Sequence, residues 1–169
     1  MKTESSKNTN SSKNTGTSKN RGVKPIPDGF HTITPFLIVN DAHELLSFIE
    51  KGLGGKTQYK LEDDDGKIVH ASARVGDSAI MISDTMQGME PVTAMLYLYV
   101  ENADNLYNQA LAVNGVTSAR EVRTEFYGDR AGCIQDQWGN KWWIATHVED
   151  VSNEELERRK SEMLKEAHA

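Results

Sequence analysis

Between Phe126 and Ser152 the chain gathers its three tryptophans (Trp138, Trp142, Trp143), its single cysteine, Cys133, and the turn Tyr127-Gly128-Asp129-Arg130. Indole rings offer flat π-surfaces for stacking and for cations, and each carries an N–H that needs a partner once buried. A tryptophan cluster therefore reads either as a packed hairpin or as a wall facing a ligand. Arg130 is a candidate anion clamp, because a guanidinium holds a carboxylate through paired donors. The same residues read first as a turn locked by an Asp129–Arg130 contact, and only second as that clamp. His70, Ser72 and Arg74 recur at period two, so they share one face of a strand. An imidazole there supplies a polar contact, or an acid and base near neutral pH. His70 and Glu125 are the two catalytic candidates. His147, next to Glu149 and Asp150, fits better as a brace for a final helix. Cys133 has only Arg130 as a nearby cation, so it reads as a small buried hydrophobe before it reads as an activated thiol.

The elements that must position these groups follow from periodicity and punctuation. His31 to Val39 reads as a strand. Asp41 and Glu44 open a helix with buried stripe Leu45, Leu46, Ile49 and Leu53, closed by Gly54-Gly55. Three strands follow: Lys56 to Leu61, Lys67 to Val75 and Ala79 to Ser83. Residues 84–92 form a loop in which Met86 and Met89 suit either a lid or a packed anchor. Thr93 to Val100 is a strand, and Asn102 caps a helix with stripe Leu106, Ala110 and Val113, ended by Gly115. Thr117 to Phe126 leads into a hairpin of Ala131 to Ile134 and Trp142 to Thr146 around the turn 137–140.

The two halves repeat. Phe36-Leu37-Ile38-Val39-Asn40-Asp41 lies over Tyr97-Leu98-Tyr99-Val100-Glu101-Asn102, Leu45 over Leu106, Gly54 over Gly115 and Gly66 over Gly128. The reading is α+β, with βαβββ modules at about 28–84 and 92–148 in a domain spanning 25–150. A capping box at Ser152 and Glu155 opens a C-terminal helix over 151–169, whose few apolar positions are Leu156, Met163 and Leu164.

Residues 1–24 repeat Ser, Lys, Asn and Thr with almost no apolar side chain, the composition of a disordered tail. They hold six cations against Glu4, a surplus of five that leaves the rest of the −6 chain at −11. A domain that acidic repels phosphate backbones, which argues against nucleic acid as a partner. No apolar run is long enough for a bilayer, and the polar start lacks the core of a signal peptide. One cysteine allows no internal disulfide and fits a cytoplasmic protein.

The tandem modules and the hairpin GDRAGCIQDQWGNKWWIATH resemble the vicinal oxygen chelate superfamily, the glyoxalase/bleomycin-resistance/extradiol dioxygenase fold. The likeness runs over about residues 28–150. Its most telling pieces are Thr34 to Asp41, Gly66 to Ala71, Gly76 to Ser78, Tyr127 to Arg130 and Ile144 to Asp150. The resemblance implies paired modules whose curled mixed sheets enclose a cavity, and commonly a homodimer. Enzymes of the superfamily hold a divalent metal with His, Glu or Gln from four strands. The corresponding places here are Thr34, Ile80 or Met81, Met95 and Trp143, none a usable ligand for a hard ion. The expectation is a protein without metal or cofactor that binds a small aromatic or amphipathic molecule. Its ligand-binding candidates are Thr34, Phe36, His70, Met95, Tyr97, Tyr127, Arg130 and Trp143. The alternative is a lyase, isomerase or dioxygenase that uses a displaced metal or acid–base groups such as His70 and Glu125.

Overall fold

Pro35 has no N–H to give a sheet, and the first strand starts only after it. In the computed structural model of the chain, which describes residues 22–166, β1 is Phe36–Val39. It is thus shorter than the span from His31 that the pattern predicts. Residues 31–34 turn instead, with the Thr34 hydroxyl donating to the His31 carbonyl at 3.0 Å. All but the last three residues of the expected polar tail lie outside the described residues.

After β1 come α1 (Ala42–Leu53), β2 (Lys56–Glu62), β3 (Ile68–Val75) and β4 (Ser78–Asp84). The second module repeats the order with β5 (Met95–Tyr99), α2 (Ala103–Leu111), β6 (Thr117–Thr124), β7 (Asp129–Gln135) and β8 (Lys141–His147). The sheets run β1-β4-β3-β2 and β5-β8-β7-β6, each with one parallel pair (β1/β4, β5/β8) in otherwise antiparallel company. This is the α+β arrangement of two mixed sheets, followed by α3 (Asn153–Glu166). Among the described residues no helix is long and apolar enough to cross a membrane.

The helices end where backbone chemistry allows. Asp41 accepts from the Glu44 N–H, and Gly54 closes α1 at φ +64°, a conformation glycine adopts without a Cβ clash. Asn102 caps α2 through the Asn105 N–H. That helix stops at Leu111, short of Gly115, because the Ala112 N–H is shared between the Asn108 and Gln109 carbonyls and tightens the last turn. In both modules the last strand also satisfies the helix start. Asp84 accepts from the Ala42 N–H (3.0 Å), and Thr146 accepts from the Ala103 N–H (2.8 Å).

One core joins the modules. Leu45, Ile49, Ile68 and Ile82 of the first half are in the same buried cluster as Tyr107, Ile134, Trp142 and Ile144 of the second. Phe48 of α1 meets the edge of Trp142 with ring centres 5.7 Å apart. Polar ties cross as well, from Gln109 to the Lys51 carbonyl (2.8 Å) and from the Trp138 indole to the Asn40 carbonyl. The hairpin turn is organised by buried Asp136, which accepts from the backbone of Trp138 and Asn140, the Asn140 amide and the Trp142 indole. Met86 and Met89 bridge to each other through their backbones. At the C-terminal end Ser152 caps α3, and Arg159 fastens the helix to Glu149 and to the Phe126 carbonyl. Gly128 lets that region close. Its φ is +96°, and a Cβ there would lie 2.1 Å from the Glu149 carbonyl oxygen.

Candidate ligand-binding site

Side chains alternate along a strand, so a sheet backed by a helix on one face presents a second residue set on the other. On the first sheet Phe36, Met81, Ser72 and Tyr59 stand in register across β1, β4, β3 and β2. His70 joins them, its ring edge-on to Phe36 and tilted against Tyr59, both at 5.6 Å. Neither His70 nitrogen has a hydrogen-bond partner among the described residues. The leading segment arches over this face and leaves a hollow of about 760 Å³ whose walls include Ile26, Phe30, Thr34, Tyr59, His70 and Met81. Arg74 seats that segment: a Cβ on Gly29 would fall 1.6 Å from its guanidinium, while its Nη1 donates to the Asp77 carbonyl at 3.1 Å. A second hollow of about 680 Å³ runs from the β3–β4 turn along β5, and His31 lines both.

On the second sheet Tyr97 and Trp143 are the register partners. Their rings lie parallel within 10°, centres 5.9 Å apart. Met95 and Tyr99 flank them, 69% and 66% exposed. Asp129, only 3% exposed, anchors this wall. Its Oδ2 accepts from the hydroxyls of Tyr99 (2.9 Å) and Tyr97 (3.3 Å), and its Oδ1 pairs with His147 Nδ1 (2.8 Å). Tyr127 adds its hydroxyl 3.4 Å from that of Tyr97, and Asp150 takes His147 Nε2 at 3.0 Å. Burial, then the Tyr127 hydrogen bond and the Asp129 charge, push the Tyr97 phenol far up; the bond to Asp129 raises Tyr99. These phenols are donors and not bases.

Hydrogen bonds to Asp129 and then Asp150 raise the pKa of His147 above its ordinary 6.5. The imidazole is protonated below that value whether the chain is folded or not, so the pairing is then fully present. Its contribution is lost as pH rises through the higher folded-state value. The melting temperature should therefore decline between about pH 6 and about pH 8 by more in the wild type than in His147→Gln. Parallel profiles would contradict the pairing.

Arg120 and Glu125 complete the wall. The Arg120 guanidinium carbon sits 5.4 Å from the centre of the Trp143 ring. Its Nη2 reaches Glu125 Oε1 at 2.7 Å, and the same oxygen accepts from Arg123 Nε at 3.0 Å. Glu125, 7% exposed, is thus held between two cations. Arg130 lies elsewhere: it faces the helix side and forks onto Asp104 of α2 with both distances at 2.6 Å or less. The turn lock pictured between Asp129 and Arg130 does not form, because neighbours in a strand face opposite ways. Cys133 is buried beneath the wall, and burial raises its thiol pKa.

The repeat lays the Phe36/Met81 pair over Tyr97/Trp143, one pair from each parallel strand couple. These four are the equivalent positions on the open faces. Thr34 precedes its strand, Ile80 is buried on the helix side, and Met95 sits two residues before Tyr97. A phenyl ring, a thioether, a phenol and an indole do not fit a hard divalent ion. Among the described residues no three His, Cys, Asp or Glu groups come together as a metal set.

The model of the Glyoxalase/Bleomycin resistance protein/Dioxygenase superfamily matches residues 29–144. The uncharacterized protein Rv0887c of Mycobacterium tuberculosis is 27% identical over 138 residues, covering 74% of this chain and 79% of that protein. The crystal structure of PA1353 from Pseudomonas aeruginosa superposes with TM-score 0.58 at 27% identity, over 69% of this chain and 98% of that one. TioX from Micromonospora sp. ML1 shares the fold, with TM-score 0.59 at 16% identity over 69% of this chain and 98% of its own.

Proposed function

The chain belongs to the glyoxalase/bleomycin resistance protein/dioxygenase superfamily, and from that premise we propose that it binds a small aromatic or amphipathic molecule on the open faces of its sheets without a metal. One observation carries the reading: the quartet Phe36, Met81, Tyr97 and Trp143 puts π-surface and soft sulfur, not chelating groups, at the four equivalent strand positions. Such surfaces favour flat apolar ligands. Thr34, His70 and Tyr127 supply polar edges, and Met95 an adaptable rim. The enzyme alternative has less behind it. His70 has ring contacts but no hydrogen-bond partner among the described residues to orient it, and Glu125 is held between two arginines, which suits neither a general base nor a displaced metal.

The reading includes a homodimer. Phe36, Tyr59, Tyr97 and Tyr99 are all more than 40% exposed in one copy, apolar surface that a second copy's sheet would cover. Sedimentation equilibrium should then give twice the chain mass. Binding itself is tested by titrating tryptophan emission with a panel of aromatic compounds. A saturable change is expected, and unchanged emission with every compound would contradict it.

A further inference from the structure

We infer that the second sheet's open face takes a planar anion, an aromatic carboxylate whose ring lies on Trp143 and Tyr97 and whose carboxylate meets the Arg120 guanidinium. This rests on the binding reading above and names the ligand class for that face. Arg120 and Arg123 share a single oxygen of Glu125. Lys141 stands on the same face, in register with Met95 and two residues before Trp143. Two cations therefore share one carboxylate beside Trp143, with Lys141 further along the same face, in a chain whose net charge is −6.

Asp129, whose carbonyl accepts from the Glu125 N–H, does not balance them. It is buried, and both its oxygens are engaged by Tyr97, Tyr99 and His147. Arg120 gives Glu125 only its Nη2, and its side chain is 36% exposed, so further donors of the planar fork remain for a ligand. Because the guanidinium covers part of the indole, a ring packed on exposed Tyr97 and the uncovered part of Trp143 brings its carboxylate to those donors. A cationic ligand would have to displace Arg120 and then face Arg123, which shares Glu125 with it. A neutral one would stack and leave the guanidinium unused.

The test titrates the full chain with naphthoate, naphthamide and naphthylmethylammonium, reading tryptophan emission. Naphthoate should bind roughly tenfold tighter than naphthamide at low salt, the scale of one charge-assisted hydrogen bond. Added salt should narrow the gap, since the site is open to solvent. Arg120→Gln should abolish the carboxylate preference, so that naphthoate and naphthamide bind that variant alike, with its melting temperature showing that the variant is folded. Tightest binding of the ammonium, or a naphthoate preference that survives in Arg120→Gln, would overturn the inference. Equal binding of naphthoate and naphthamide would overturn it alone and leave the binding reading standing. Failure of all three compounds would overturn both.

Discussion

Replacing Trp142 by alanine is expected to cost about 3–5 kcal/mol of stability, the range for truncating a fully buried aromatic. The side chain is 0% exposed and meets Phe48 of the other module edge-on. Its indole N–H is also one of the donors to buried Asp136, so the variant leaves both a cavity and a carboxylate oxygen short of a partner. Against a total of about 5–15 kcal/mol for a domain, that removes much of the margin. Because the core spans both modules, the loss should appear as one shifted transition and not as melting of the second half alone. Urea denaturation followed by circular dichroism checks this; two separated transitions would show that the modules fold independently.

Trp143→Ala should behave in the opposite way. Its ring faces the open side and is only half-buried, so truncation should cost about 1 kcal/mol, the scale of one aromatic pair with Tyr97. Binding should suffer more, because the ligand loses both the stacked surface and its area term. A loss of roughly thirtyfold in affinity, about 2 kcal/mol, is expected. Calorimetric titration beside a thermal melt of the same sample measures both. If Trp143→Ala unfolds the chain as Trp142→Ala does, the indole is core and not wall.

The contrast between these adjacent tryptophans is legible in the sequence. Alternation alone puts Trp142 and Trp143 on opposite faces, and the internal repeat brings Phe36 over Tyr97. Thr34 falls before β1 because residues 31–34 turn and Pro35 has no N–H to donate, its carbonyl alone joining the ladder by accepting from the Met81 N–H. A turn sequence read as one unit hides that Arg130 pairs with Asp104 of α2. As strand neighbours, Asp129 and Arg130 part company, one to the phenols and His147, the other to Asp104, 26 residues earlier. Arg120 was missed for a different reason. β6 shifts register on both sides of it, between Ser118 and Arg120 and again before Arg123, so counting by twos cannot tell which face it joins. Asp136 did leave a local signal. Its carboxylate accepts the N–H two residues on, an Asx turn that the spacing Asp136 to Trp138 announces.

Where a ligand lands is the most direct test that the open faces form the binding site. Isotope-labelled protein, titrated with whichever aromatic compound changes tryptophan emission, reports it through residue-by-residue chemical shifts. The expected shifts fall on Phe36, His70, Met81, Tyr97, Arg120 and Trp143, and spare the α1–α2 contact around Gln109 and Lys51. Shifts centred on the helices or on α3, with Tyr97 and Trp143 unmoved at saturation, would contradict the account.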